Sequence, residues 1–471
     1  MKMLINGEWV ARTKTIEVID PYNEEVIDTV PKGSIEDVKL AIQAAVEGFK
    51  ISKKLPTHQR VDILRKTADL VRQNSEDFAR IIAREGSKTI REARKEVYRC
   101  SVTLDVSADE SRRVLGETIS YDQSQGSENR RGYYYRFPIG VIAAITPFND
   151  PLNLVAHKLG PAIAGGNSVV LKPATVTPLS ALKLGEVFID AGLPKNILNI
   201  VTGYGSEIGD ALVTDPRIRM ISFTGGVDAG KHIATIAGLK KIGMELGSNS
   251  PSIVLSDCNL ENAVECCVSG SFWAAGQNCL GVQRIYVEKA VYSEFVSKFV
   301  ARTEKYKVGP KLEENCDMGP MITEKEAIRI EEWVNEAIKL GAKVEIGHKR
   351  KGATYLPTVL TNVPDSCKVD CEEVFAPVVS IYPVNDLDEA IKKSNAVDYG
   401  LQAGIFTSNI NSAYKAIENL DVGGVVINDT SDYRVDAMPF GGVKNSGLGR
   451  EGIKFALLEM TEPKVVCFNL I

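Results

Sequence analysis

From Val141 onward the chain repeats one pattern, in which short β-branched apolar runs alternate with stretches of helical spacing. Val141–Thr146, Ser168–Leu171, Ile197–Val201, Met220–Phe223 and Lys241–Glu245 form a first series. Repeated strand and helix predict a parallel sheet covered on both faces, because each crossover helix packs back on the strands it joins. A second series, Ser252–Leu255, Arg284–Val287, Val378–Tyr382, Gly404–Phe406 and Val425–Ile427, predicts another α/β unit. Turn formers in Gly247-Ser248-Asn249-Ser250-Pro251 separate the two series. Ligand clefts tend to form at such junctions.

The first hundred residues read largely as helices. Ser34, followed three positions later by Asp37, predicts a capped helix carrying Val38, Ile42 and Val46. A second run, from His58 to about Gln73, places Val61, Leu64, Ala68 and Val71 on one face. Ser120–Asn129 is loop-like and Gly132–Phe137 is aromatic and strand-like, which fits a projecting strand pair better than a core helix. Lys464–Phe468 is again strand-like and could pair with that hairpin, its own or a neighbour's.

With 471 residues the chain has length for about three domains. Its 44% hydrophobic and 25% charged residues are ordinary for a globular protein. A net charge of −5 without a basic run gives no expectation of a nucleic-acid partner. No uncharged apolar stretch reaches spanning length, and the N-terminus turns polar almost at once, so neither a membrane span nor a signal peptide is expected. Nine cysteines without Cys-x-x-Cys spacing and four scattered histidines predict no metal site, and free thiols suggest a cytoplasmic home.

Three segments bear chemistry. Cys279 ends Gly276-Gln277-Asn278-Cys279. A cysteine near a helix N-terminus has its thiolate favoured, whereas a lone buried cysteine is commonly inert. Glu245 ends an apolar run in Met244-Glu245-Leu246-Gly247; facing a cleft it would be a base of raised pKa, and otherwise a plain acid closing a strand. Asn149 closes Thr146-Pro147-Phe148-Asn149 and, before Asp150-Pro151, also reads as a turn. Gly225 to Lys231 fits a phosphate-loop pattern, but His232 stands where Ser or Thr is needed for magnesium, which argues against nucleotide hydrolysis.

Taken together these segments resemble the aldehyde dehydrogenase superfamily, from Ile5-Asn6-Gly7-Glu8-Trp9 almost to the C-terminus. The resemblance implies two Rossmann-like parallel-sheet domains plus a small oligomerisation strand pair. Their expected bounds are 1–118 and 139–246 for cofactor binding, 247–440 for catalysis, and 119–138 with 455–471 for bridging strands. It further implies Cys279 as nucleophile, Glu245 as the base that activates water on the thioester, and Asn149 as oxyanion donor beside the Cys279 amide. The Glu-Leu-Gly-Gly pattern departs here at Ser248.

For the cofactor, NAD or NADP, the resemblance points to Ile145, Thr146, Pro147, Phe148 and Leu246, and to Lys172 on the adenosine ribose. Thr175 stands where many NAD-preferring members have glutamate, so the sequence permits both dinucleotides. Gly205 and Gly209 belong to a glycine turn one residue longer than the usual fingerprint. Phe223-Thr224-Gly225-Gly226 matches Phe-Thr-Gly-Ser with glycine for serine, and Glu373 with Phe375 matches the Glu-x-Phe that holds the nicotinamide ribose.

Arg99, His157 and Arg434 fall on segments lining the substrate tunnel in family members. Three cationic or polar groups favour a small polar or anionic aldehyde. The resemblance is to the branch with lactaldehyde, phosphonoacetaldehyde and succinate semialdehyde enzymes, and a homodimer or homotetramer is implied. Transfer of the acyl group to coenzyme A or phosphate is an alternative, against which Glu245 argues. A binding protein that kept the fold without turnover is another, against which the presence of all three reactive residues argues.

Overall fold

The computed structural model describes residues 1–365 and 367–470. Its first sheet has eight strands in the order Glu8–Val10, Met3–Ile5, Leu198–Ile200, Ser168–Lys172, Val141–Ile145, Ile218–Thr224, Lys241–Glu245 and Gly447–Leu448. The five central strands are parallel, and the outer ones pair antiparallel. Chain order runs one way from Val141–Ile145 and the other way from Ile218–Thr224. Between these two neighbours lies the switch point, outside whose C-terminal strand ends ligands bind in open α/β sheets. Ile145, Lys172, Thr224 and Glu245 all end strands along that edge.

The second sheet has seven strands, ordered Lys343–Ile346, Thr358–Thr361, Val378–Val384, Val282–Glu288, Ser250–Val254, Gln402–Phe406 and Gly424–Ile427. All pairs but the first are parallel. The two α/β units expected from hydrophobic runs are therefore present. Separate apolar cores fill them, around Leu159, Leu171 and Phe188 in the first and around Ile285, Phe299 and Ile381 in the second.

The first hundred residues depart from the helical expectation. Four strands, Met3–Ile5, Glu8–Val10, Thr15–Ile19 and Val26–Pro31, precede four helices, Ile35–Ser52, Thr57–Gln73, Ser75–Glu85 and Ile90–Ser111. Asn6 (φ 57°) and Gly7 (φ 74°) turn the first two strands into a hairpin, the left-handed pair that such two-residue loops require. Within the helices the spacing held. Ser34 and Asp37 form a reciprocal capping box, and Val61, Leu64, Ala68 and Val71 are all buried.

The projecting pair is a three-stranded sheet. Thr461–Asn469 pairs along its whole length with Arg130–Pro138 of its own chain, and Glu117–Ile119 takes the other edge. Among the described residues no helix is long and apolar enough to cross a membrane, and no cluster of three or more His, Cys, Asp or Glu could hold a metal ion.

Candidate active site

Cys279 follows a run of three left-handed residues. The helix Leu260–Phe272 ends in a turn where Ala274 (φ 49°), Ala275 (φ 55°) and Gly276 (φ 67°) reverse the chain. Such conformations cost about 1–2 kcal/mol each for alanine, so neighbouring contacts must hold them. Glu92 does this. One carboxylate oxygen accepts Ala274 N at 2.8 Å, and the other caps the helix Ile90–Ser111 through Thr89 N at 2.8 Å. Gly276 has no alternative at its position, because a Cβ there would lie 2.1 Å from the Ala376 carbonyl oxygen.

The thiol therefore sits beyond a helix C-terminal turn, not at a helix N-terminus. No helix dipole lowers its pKa. Burial pushes the Cys279 thiol up to about 12, Arg434 opposes this, and Glu373, Glu245 and Glu451 add to it. The resting group is a thiol that must give up a proton as it attacks.

Two cavities meet at this cysteine. One, of about 650 Å³, is polar and includes Arg99, Asn149, Asp150, Asn278, Asp432 and Arg434 in its wall. The other, of about 720 Å³, runs along the C-terminal edge of the first sheet. Asn149, Leu154 and Cys279 belong to both walls. Glu245 lines neither. Its carboxylate is buried, with Oε2 unpartnered and Oε1 beside Gly441, 2.9 Å from where a Cβ on that glycine would stand. Burial and then repulsion by Glu451 raise its pKa well above the carboxylate range, while Arg434 and Lys158 act in the opposite direction.

The larger cleft gathers most of the residues expected at a dinucleotide. Ile145, Thr146, Pro147, Phe148, Thr175, Phe223, Thr224, Gly225, Gly226, Leu246, Glu373 and Phe375 line it. Its size suits a small-molecule site. Three features fit a dinucleotide there. Gly226 N-caps the ten-residue helix Val227–Ile236 with open space around its Cα, which suits pyrophosphate. Thr146 Oγ1 is buried without a partner, and Glu373 presents a carboxylate steadied by Ser248 N at 2.8 Å. Burial lifts Glu373 to about 7.

Three expected cofactor residues are not on this wall. Lys172 is buried, with Nζ on the Pro173 carbonyl at 3.2 Å and its pKa lowered to about 8 by burial. Gly205 and Gly209 lie in the helix Gly205–Thr214 and line neither cavity; their turn opens the helix after Leu198–Ile200, two strands along the sheet from the switch point. Thr175 does line the cleft, but its hydroxyl already donates to Gly203 O at 3.0 Å. Sequence reasoning missed Asp228, Gly247, Glu326, Arg329 and Trp333. Arg329 lies over the Trp333 ring at 4.6 Å and donates to Val374 O at 2.8 Å, steadying the Glu373–Phe375 loop.

On the polar side Arg99 and Arg434 reach the wall and His157 does not. His157 is a buried member of a charge network. Its Nε2 lies 2.8 Å from Asp436 Oδ1, which also accepts Arg99 Nη2 at 2.8 Å. Burial and then Arg434 lower the His157 pKa, so the ring is neutral. Arg434 stacks on Phe440 at 3.8 Å, with Glu451 Oε2 3.4 Å away and its own Nε unpartnered. Glu451 in turn accepts Lys158 Nζ at 3.1 Å, and Lys158 also donates to Thr224 and Ser222. Glu451, Lys158, Asp436 and Asp432 carried no motif by which the sequence could have singled them out.

Known proteins agree with this architecture. The profile of the aldehyde dehydrogenase family matches residues 9–466. A 3-sulfolactaldehyde dehydrogenase of Priestia megaterium is 48% identical over 99% of this chain and 98% of its own. An aspartate-semialdehyde dehydrogenase of Pseudomonas canavaninivorans is also 48% identical, over 97% of each chain. The crystal structure of an NADP-dependent glyceraldehyde-3-phosphate dehydrogenase from Bacillus halodurans C-125, complexed with NADP, superposes with a TM-score of 0.97 at 40% identity. It covers 100% of this chain and 99% of that one. The chain is an oxidoreductase acting on aldehydes. It belongs to the aldehyde dehydrogenase family.

Proposed function

We propose that this protein oxidises a small polar or anionic aldehyde, lactaldehyde-like or a semialdehyde, to the free acid with NAD or NADP. The observation that carries the reading is the junction of two cavities at Cys279, one polar and one fitted to a dinucleotide. Cys279 Sγ adds to the aldehyde carbon, and the Asn149 amide is in the shared wall to take the oxyanion. Thr146, Phe148, Gly226 and Glu373 would hold the dinucleotide, with Gly226 at its pyrophosphate, and the nicotinamide would accept the hydride that leaves the aldehyde carbon. Glu245, with its raised pKa, is suited to draw a proton from water for thioester hydrolysis. Its buried position requires it to swing toward the thioester or act through a water.

Arg434 and Arg99 support a polar substrate, because charge-assisted hydrogen bonds strengthen once water is excluded. The named substrates of the two relatives are aldehydes of this kind. Nine unbridged thiols support a reducing, cytoplasmic home. Exposed Tyr133, Tyr135, Val465 and Phe468 on the three-stranded sheet support a homodimer or homotetramer.

The test is a panel of lactaldehyde, succinate semialdehyde, aspartate 4-semialdehyde and propanal with NAD and with NADP, following reduced nicotinamide and identifying products. Acid formation without added acyl acceptor is expected, fastest on the polar aldehydes. A strict requirement for coenzyme A or phosphate would replace hydrolysis by acyl transfer.

A further inference from the structure

The polar cavity contains one carboxylate that the proposed chemistry leaves without a task. Asp432 lines it beside Asn278, Cys279 and Arg434. Asn278 Nδ2 donates to Asp432 Oδ1, and Leu280 N donates to Asn278 Oδ1 at 3.1 Å, so Asp432 is tied to the residues flanking the nucleophile. Its Oδ2 receives no protein donor among the described residues, and the side chain is only half-buried.

The neighbouring carboxylates are otherwise engaged. Asp150 pairs with Lys88 and Arg99, Glu265 with Arg302, and Asp429 accepts the Thr430 amide. Burial raises the Asp432 pKa to about 6 although Arg99 and Asn278 oppose it, so it is largely ionised at neutral pH. The same wall holds Arg434, whose side chain is 6% exposed, whose nearest carboxylate oxygen is 3.4 Å away, and whose Nε has no partner. The cavity thus offers an open acceptor and an underused cation together.

We propose that Asp432 is a specificity-determining residue, its free oxygen accepting a hydrogen bond from a hydroxyl or ammonium group on the aldehyde's chain while Arg434 receives the anionic end. The inference rests on the reading of the polar cavity as the substrate side. A site built to bond a donor rejects the analogue lacking it, because a bound substrate that shuts water out of the cavity then leaves the acceptor unpaired. A merely structural Asp432, fixing Asn278 and through it Cys279, would change the rate on every aldehyde alike.

Two matched substrate pairs separate these roles. Aspartate 4-semialdehyde differs from succinate semialdehyde by an ammonium group, and lactaldehyde from propanal by a hydroxyl. The measurement is kcat/KM for all four with wild type, Asp432→Asn and Asp432→Leu. Asparagine keeps an acceptor without charge, and leucine keeps the volume alone. Wild type is expected to favour the donor-bearing member of at least one pair by roughly tenfold, and that pair identifies the donor. Asp432→Leu should erase the preference, while Asp432→Asn should erode it more for ammonium than for hydroxyl. Should the leucine variant fail to fold, the ratios in Asp432→Asn decide alone. Ratios that survive substitution, whatever happens to absolute rates, overturn the proposal. Equal wild-type efficiency within both pairs removes this inference and leaves the enzyme reading standing. Absence of turnover on all four aldehydes removes both.

Discussion

Glu245 and Glu451 are two buried carboxylates among the same cations, and they divide the available charge unequally. Lys158 and Arg434 hold Glu451 ionised against burial, and Glu245 is left with the raised pKa. Such a pair titrates as a unit. A base works only when deprotonated, so thioester hydrolysis should accelerate as pH rises through the elevated pKa of Glu245. Glu245→Gln should keep the rapid first turnover, slow the steady rate by about 10²–10³-fold and flatten its pH profile. Stopped-flow recording of reduced nicotinamide at several pH values checks this, and an equal fall in both phases would reassign the base. At the cofactor, Thr175→Glu should weaken NADP more than NAD, since a carboxylate repels a 2′-phosphate. An unchanged ratio of the two kcat/KM values would remove Thr175 from the ribose. Cys279 and Asn149 could be singled out because each ends a short motif that resembles the family's, and both line the junction of the two cavities. Glu451, Lys158 and Asp436 were not, because their meaning comes only from partners hundreds of positions away.

The element that positions Cys279, the proposed nucleophile, is the left-handed turn Ala274-Ala275-Gly276, held from outside by Glu92 and leaving no room for a Cβ on Gly276 against the Ala376 carbonyl. Gly276→Ala should destabilise the fold by about 1–3 kcal/mol and reduce kcat more than tenfold, as the turn retreats from the Ala376 carbonyl and carries Cys279 with it. Thermal melting with steady-state kinetics tests both effects; a variant with full activity would show that the turn relaxes without moving the thiol. The helix before Cys279 ends as the apolar pattern suggests, but the thiol has no helix N-terminus beside it to favour its thiolate. The dihedral reversal is carried mainly by two alanines, which give no local sign of it. The opposite held at the N-terminus, where Asn6-Gly7 announces a hairpin and the strands flanking it were too short to outweigh the helical runs beyond. In the two series of apolar runs, period and turn residues agreed with the tertiary structure, but Lys343–Ile346 and Thr358–Thr361 of the second sheet lay outside both series.

At the scale of the molecule, two sheets present their edges to a shared centre, and the terminal sheet ties the chain's end to residues 130–138. Truncation after Met460 should strip Arg130–Pro138 of its partner, expose its edge, lower the melting temperature and alter the assembly state. Light scattering with thermal melting measures this, and an unchanged profile would show that the terminal strand is dispensable. The strand Gly447–Leu448 was invisible to sequence reasoning, being two residues long and antiparallel at the margin of a parallel sheet. Yet it lies directly beside the base: Glu245 pairs with Gly447, and Leu246 N donates to Ser446 O at 2.9 Å. The carboxylate proposed as base therefore depends on backbone from a distant part of the chain for the wall behind it.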